Sequence, residues 1–264
     1  MAVRGRVVVP YLPCRQWRDH DRSHSPVVWT SGMSGQLDPA VYDAWFDQPW
    51  GAHAFDVERD TLLDAISPLE GRRLLDVGCG TGRFTAAFET AGAHVVGIDR
   101  DPDMLARAQQ RTREARLLVG DAHQLPIDDN SVDVAVATTL LEFASDPDGV
   151  LDELTRVVRP GGRIAVAALN PASPWGLARR RRLRRPPWDE ACLYTPTQLR
   201  VLLDGRGRLT LHPALYAPGA IPSLATLGSV LERLRHLVPR LGAFQVAVID
   251  LPRHDHSAPR QEPA

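Results

Sequence analysis

Leu74-Leu75-Asp76-Val77-Gly78-Cys79-Gly80-Thr81-Gly82-Arg83 is the stretch around which the chain is organised. Residues 74–77 read as a short apolar strand interrupted by one acid. Glycines then alternate across a tight turn, and helix-type spacing resumes at Phe84. Glycine is needed where the backbone takes a positive φ or where a ligand approaches with no Cβ in the way. A strand, a glycine turn and a helix start place free backbone N–H groups around a pocket at the strand's carboxyl end. A dinucleotide turn has the spacing G-x-G-x-x-G/A, its third small residue packing helix on strand. Here the glycines fall at 78, 80 and 82, and Arg83 takes the place of that third small residue. A glycine-rich turn with no ligand is the third reading, and the rest of the chain decides among them.

Upstream, from Asp38 to Leu69, the spacing is helical. Tyr42, Trp45 and Phe46 share one face, Val57, Thr61, Leu62, Ala65 and Ile66 form a later stripe, and Pro49 with Gly51 separates two helices. Downstream, strands and helices alternate, which predicts a parallel sheet covered on both faces. Strands are expected at 94–98, 116–119, 132–138, 163–169, 209–216 and 244–251. Helices are expected at 102–112, behind an Asp101 cap, at 150–158, and from Thr195-Pro196 to about 203. Pro160-Gly161-Gly162 should end the second of these sharply. Asn170 to Gly176 reads as a loop. Residues 223–241 read as an amphipathic helix with Leu224, Leu227, Leu231, Leu234, Val238 and Leu241 on one stripe.

Carboxylates fall at the strand ends, the side on which open α/β sheets bind ligands. Asp76 precedes the turn and can accept from its N–H groups or from a ligand's amino end. Asp99 ends the second strand about twenty residues later, where a carboxylate can accept both hydroxyls of a ribose. Asp121 follows the third strand, and Glu142 lies in the loop after the fourth. Any one of these acids could simply cap a helix. Their succession, each at a strand end behind the glycine turn, points to a nucleoside-bearing ligand.

Five segments carry a family likeness: Leu75-Asp76-Val77-Gly78-Cys79-Gly80-Thr81-Gly82, Val96-Gly97-Ile98-Asp99, Gly120-Asp121-Ala122-His123-Gln124-Leu125-Pro126, Asp129-Asn130-Ser131-Val132-Asp133-Val134 and Val157-Val158-Arg159-Pro160-Gly161-Gly162-Arg163. Over residues 40–170 the chain resembles the class I S-adenosylmethionine-dependent methyltransferases, in the branch that contains the ubiquinone- and menaquinone-biosynthesis enzymes. The resemblance implies an α/β, Rossmann-like, seven-stranded sheet in the order 3-2-1-4-5-7-6, with strand seven antiparallel and helices on both faces. It implies S-adenosyl-L-methionine as cofactor, with Asp76, Gly78, Cys79, Gly80 and Gly82 around the methionine moiety and Asp99, beside Arg100, at the ribose. Met104, Asp121, Ala122 and His123 then belong to the adenine end and Thr138 to the methyl end. Tyr42, Trp45, Phe46, Trp50, Leu141, Glu142 and Trp175 are candidates for a lid or for the acceptor's side. The four aromatics at 42–50 have helix packing as their alternative. No catalytic residue is assigned, since a general base is needed only for an acceptor that arrives protonated; the candidates are His123 and Glu142.

Composition narrows the alternatives. All 31 basic residues are arginines, which excludes a Schiff-base lysine and a Walker-type phosphate lysine. The net charge of -1 gives no general attraction to nucleic acid, and none is expected as partner. Cys14, Cys79 and Cys192 are scattered, which suggests neither a disulfide framework nor a zinc site and fits a reducing cytoplasm. No metal cluster is expected, and no apolar run is long enough to span a bilayer. Residues 1–32 read as a poorly ordered extension ahead of a natural start at Met33. Residues 38–252 read as one domain with insertions at about 170–195 and 218–242, and residues 253–264 as a disordered tail. The run Arg179 to Arg185 reads as a solvated face, or as a contact for an anionic surface or an acidic substrate. The functional expectation is a methyltransferase for a small-molecule or lipid-like acceptor, as a monomer or homodimer. The alternatives are a non-catalytic protein binding the same cofactor and a nicotinamide oxidoreductase.

Overall fold

The computed structural model describes residues 38–178, 191–216 and 238–253. Among them, β1 (Arg73–Val77), β2 (His94–Asp99), β3 (Arg116–Val119), β4 (Val132–Thr138), β5 (Val158–Leu169), β6 (Arg208–Ala214) and β7 (Phe244–Asp250) form one sheet. Its order is β3-β2-β1-β4-β5-β7-β6. β1 to β5 are parallel, and β7 runs antiparallel to both β5 and β6. The resemblance implied this order and it is found. β1 pairs with β2 on one side and β4 on the other, so strand order reverses there and a crevice opens at the carboxyl ends.

The central strands are nearly unbroken apolar runs because helices cover both faces. On one face Leu75, Val77, Ala135, Ala137 and Val166 pack with Leu151 and Leu154 of α5 (Pro147–Val157) and Leu199 and Leu203 of α7 (Pro196–Leu203). On the other, Leu74, Val134, Val136, Ala165 and Ala167 pack with Leu62 and Ile66 of α2 (Pro49–Ile66) and Phe88 of α3 (Arg83–Thr90). Each fully buried Leu or Phe side chain stabilises the fold by about 1.5–3 kcal/mol. At several helix starts a side chain caps the first turn, each cap worth about 1 kcal/mol. Asp38 accepts from Ala40 N ahead of α1 (Pro39–Phe46), and Asp101 accepts from Asp103 N ahead of α4 (Pro102–Arg111). At α7, Thr195 and Gln198 form a reciprocal capping box.

Four local expectations are corrected. Gly51 does not separate two helices. It lies inside α2, whose first turn opens on Pro49 because proline's missing N–H has no partner there to lose. A Cβ at Gly51 would sit 2.0 Å from the Trp45 carbonyl oxygen, so glycine is what lets α1 fold back on α2. The loop after β5 contains a short helix, α6 (Pro174–Ala178). α5 ends at Val157 and β5 begins at Val158, so Pro160-Gly161-Gly162 lie within the strand. A register shift between Val132 and Val134 of β4 absorbs them. Pro239–Leu241, at the end of the expected amphipathic helix, form a 3-10 turn with Leu241 exposed.

The residues before Asp38, the run Arg179 to Arg185, most of the 223–241 segment and the tail after Arg253 lie outside the described residues.

Candidate functional site

The glycine turn is built from backbone. Gly78, Gly80 and Gly82 all take positive φ, at 72°, 53° and 76°. The N–H groups of Gly78 and Cys79 both donate to the carbonyl of Ile98, at 2.7 and 3.0 Å, which ties the turn to the end of β2. The three glycines differ in what surrounds them. A Cβ at Gly78 would meet Leu140 at 2.8 Å, and one at Gly82 would meet Ala108 of α4 at 2.8 Å. A Cβ at Gly80 would meet nothing within 4 Å. Gly82 is needed for packing, whereas Gly80 leaves open approach to the turn.

Two acids flank the turn, and their roles separate. Asp99 Oδ2 accepts from Gly80 N at 2.8 Å and Oδ1 accepts from Asp101 N at 2.9 Å, so this half-buried carboxylate is fixed at the crevice. Asp76 was read as an acceptor for N–H groups of the turn or for a ligand's amino end. Its Oδ2 accepts the Thr85 hydroxyl at 2.6 Å, and the residue is 1% exposed. Burial pushes Asp76 up to about 7, helped by the Asp99 charge and opposed by Thr85. The Cys79 thiol is pushed up by burial and by the charges of Asp76 and Asp99. It packs against Gly97 of β2, so it is a spacer rather than a nucleophile.

α1 is fastened to this turn by Asp43, a residue the sequence reading passed over. Asp43 Oδ1 accepts from Thr81 Oγ1 and from Arg83 Nε, each at 2.9 Å, and Oδ2 accepts from Arg111 at 3.0 Å. Arg107 adds a third guanidinium at 3.3 Å. Burial would raise this carboxyl, but the hydrogen bonds from Arg111, Thr81 and Arg83 hold it below the ordinary range. The aromatic candidates divide here. Phe46 is buried, with the Arg83 guanidinium 4.6 Å from its ring centre and Phe55 of α2 at 5.9 Å, a packing position. Tyr42 stands edge-on to Phe46 at 5.2 Å. Its phenol is pushed up by burial first and then by Glu58, with Asp43 and Asp99 adding to it and Arg83 opposing. Trp175 belongs to the α2-side core, and Trp45 and Trp50 pack partly buried against it, Trp45 edge-on to Phe46 at 4.7 Å.

At the outer rim, Asp121 Oδ1 accepts from both the backbone N and Nδ1 of His123, at 2.9 and 2.8 Å. The opposite ring nitrogen lies 3.5 Å from Ser145 Oγ. The hydrogen bond from the His123 backbone is the largest cause holding Asp121 below the usual carboxylate range, and the Arg100 charge contributes. Ala122, next to Asp121 in the chain, and Met104 of α4 are half-buried.

Glu142 stands on a 3-10 turn, Leu141–Phe143, after β4. It is 1% exposed, and Oε1 accepts from Leu169 N at 2.9 Å at the end of β5. Oε2 is buried without a partner, and burial pushes the carboxyl up to about 7 despite that hydrogen bond. Around it, Tyr194 donates to the Leu141 carbonyl at 3.2 Å and Gln245 of β7 donates to the Tyr194 carbonyl. The Thr138 hydroxyl is likewise buried without a partner.

Besides Asp43, the sequence reading missed Glu58, Thr85, Tyr194 and Gln245. Only Glu58 left a signal, an acid on the apolar stripe that links Ala54 to Leu62. Cys192 is disulfide-bonded, which corrects the reading of scattered cysteines, since distance in sequence does not set distance in space. Among the described residues no group of His, Cys, Asp and Glu has the geometry for a metal ion, and no helix is long and apolar enough to cross a membrane. A cavity of about 920 Å³ opens at the amino ends of β1 to β4, lined by Arg73, His94 and Arg116, the end of the sheet opposite the glycine turn.

Residues 75–166 match the family model described as a methyltransferase domain. A malonyl-[acyl-carrier protein] O-methyltransferase from Serratia marcescens is 38% identical over 110 residues, 42% of this chain and 43% of that protein. A demethylmenaquinone methyltransferase from Renibacterium salmoninarum is 36% identical over 109 residues, 41% of this chain and 46% of that one. In both cases the match spans less than half of the relative's length. A solved structure of an S-adenosylmethionine-dependent methyltransferase from Thermotoga maritima superposes with a TM-score of 0.64 at 22% identity, covering 79% of this chain and 93% of that one. Residues 75–166 thus match a methyltransferase domain, and the sheet around them has the fold of the Thermotoga maritima structure.

Proposed function

We propose that this chain moves a methyl group from S-adenosylmethionine to a small-molecule or lipid-like acceptor by in-line displacement. The observation that carries the reading is Asp99, fixed by Gly80 N and Asp101 N beside a glycine that leaves the approach open. A carboxylate so placed suits a ribose diol, and the open backbone at Gly80 suits the close passage of the rest of an adenosyl ligand. Asp76 behind the turn and the unpartnered Thr138 hydroxyl supply acceptors for a cationic amino-acid end.

When bound, the cofactor supplies a methyl group already activated toward displacement. The chain's work is then placement and exclusion of water. The clamp on Asp43 holds α1 over the turn, and the tryptophans packed on the α2-side core suit a shield on the acceptor's side. Where the acceptor arrives protonated, Glu142 fits the role of base better than His123. It is buried at the end of β4 with a free oxygen and a pKa near neutrality, the condition under which a general base works best. His123 lies on the rim and is engaged by Asp121. The substrates named for the two relatives support a small-molecule or lipid-like acceptor, and no nucleic-acid partner is expected.

The test is calorimetric titration with S-adenosylmethionine, S-adenosylhomocysteine and NADH, followed by transfer of labelled methyl groups to an acceptor panel. Micromolar binding of both adenosyl ligands, no binding of NADH and acceptor-dependent transfer are expected. Binding of NADH alone would return the glycine turn to the oxidoreductase reading. Adenosyl binding without transfer to any acceptor would favour a non-catalytic binder.

A further inference from the structure

Three neighbouring strands open on a basic residue: Arg73 on β1, His94 on β2 and Arg116 on β3, all exposed. Arg73 pairs with His94, and Arg116 pairs with Val96, two residues along β2 from His94. Paired residues share a face, as do residues two apart on a strand, so the three side chains stand on one side of the sheet. Neighbouring strands lie about 4.8 Å apart and two residues span about 6.6 Å, so each base follows the next within about 5–8 Å of backbone. They line the cavity of about 920 Å³ at this end, a volume within the range of small-molecule sites. From Arg73 to Gly78 is about 16 Å along β1, which separates this cavity from the crevice at the glycine turn.

The bases around this cavity are largely uncommitted. Among the described residues, the side chains of His94, Arg116 and Arg113, which also lines it, make no hydrogen bond or ion pair. Arg73 reaches Asp133 only at 3.6 Å, and that carboxylate already takes Arg159 at 2.6 Å. The acids on the same lining are Glu89, Glu114 and Asp128. Glu89 is occupied, since its two oxygens accept from the backbone N–H groups of Arg113, Glu114 and Ala115. Arg111 also lines the cavity but is held by Asp43 and the Thr81 carbonyl. What remains is three arginines and a histidine against two exposed carboxylates, around a floor that includes Val95, Val96 and Ile127. Unpaired bases gathered beside apolar surface are complementary to an anion that carries an apolar body.

We propose that this cavity is a second ligand site, for an amphipathic organic anion. Arg73, His94 and Arg116 take its carboxylate or phosphate head, with Arg113 at the rim, and its apolar body lies on Val95, Val96 and Ile127. An arginine fork matches either head group through paired N–H bonds, and the imidazole adds one donor. The site shares no residue with the glycine turn, Asp99 or the Asp121 rim, so it stands independently of the cofactor reading. Held at the far end of β1, this ligand is distinct from the methyl acceptor.

The test is calorimetric titration of the full chain, below micelle formation, with decanoate, decyl phosphate, decanol and inorganic phosphate. The two amphipathic anions are expected to bind, the tighter of them naming the head group. Decanol and inorganic phosphate should bind at least about 10-fold more weakly, since each lacks one half of the ligand. Arg73→Gln and Arg116→Gln should each weaken the anions about 10-fold or more, because each removes a charged hydrogen-bonding fork. Both side chains are exposed, so each variant should keep the wild-type melting temperature and the wild-type affinity for S-adenosylhomocysteine. A wild type that binds neither amphipathic anion would overturn the site. So would decanol binding as tightly as decanoate, inorganic phosphate binding as tightly as decyl phosphate, or an anion affinity that neither variant lowers.

Discussion

Thr81 donates its hydroxyl hydrogen to Asp43 across 2.9 Å, joining the glycine turn to a helix 38 residues earlier in the chain. The same carboxylate takes Arg83 and Arg111, so one buried acid gathers α1, the turn, α3 and α4. Asp43→Ala leaves these guanidinium groups without their common partner. Removing one side of a buried ion pair costs about 3–5 kcal/mol, and thermal unfolding should show a loss of that size. The folded carboxyl sits below its ordinary value, so the contribution is present above the unfolded pKa and is lost as pH falls through the folded one. The gap between wild type and variant should therefore be full at neutrality and close only in acid. A gap that is small at pH 7 would mean that α1 is held by its aromatic packing alone.

Alanine at two neighbouring glycines should separate stability from binding. Gly82→Ala brings a Cβ to 2.9 Å from the Ala108 Cα at a φ of +76°. Backbone strain and overpacking together should cost about 2–5 kcal/mol, read by denaturant unfolding. Gly80→Ala meets no atom within 4 Å, so it should cost only the left-handed backbone penalty of about 1–2 kcal/mol. Its methyl group enters the ligand's approach, and affinity for S-adenosylhomocysteine should fall about 10-fold or more. Unchanged affinity would place the ligand elsewhere.

Asp99→Ala removes the acceptor proposed for the ribose. Two charge-assisted hydrogen bonds lost to a ligand correspond to roughly 100-fold or more in affinity. The variant also forfeits the bonds from Gly80 N and Asp101 N, so a modest loss of melting temperature should accompany it. Asp99→Asn keeps one oxygen acceptor and should fall between alanine and wild type by calorimetry.

Glu142 gives the ligand-free protein a pH dependence of known sign. Burial holds its carboxyl up at about 7, above an unfolded value of about 4.3. The folded chain therefore binds this proton more tightly, and stability declines as pH rises between those values and levels off beyond. Asp76, at about 7, and Glu58, at about 8, act in the same direction. Melting temperature should fall from pH 5 to pH 8, and Glu142→Gln should flatten part of that slope while keeping an oxygen for Leu169 N. If Glu142 is the base for a protonated acceptor, the same variant should lower the rate of transfer without weakening S-adenosylhomocysteine. An identical slope in the variant would mean that the buried carboxyl is compensated in solution.

The sequence alone determined the alternation of strands and helices, the glycine spacing and the acids at the strand ends. These features are local. A period of 2 or 3.6 reports which side of an element is buried, and a positive φ demands glycine at the turn itself. Asp99 was therefore legible as a candidate for the crevice before its bond to Gly80 was seen. The order of β6 and β7 came only with the family resemblance, because no local pattern says that the last strand inserts between its predecessors. Only the tertiary structure decided what each buried polar group faces. Asp43 looked like any helix acid until Thr81, Arg83 and Arg111 closed on it, and Glu58 like an interruption in a stripe until α2 buried it. Glu142 was a candidate from its place after β4, but its raised pKa comes from burial, which the hydrogen bond from Leu169 N of β5 opposes and which only the packed elements around it create. Periodicity tells a side chain to turn inward, and only the packing of distant elements sets the charge and hydrogen-bond partners it meets there.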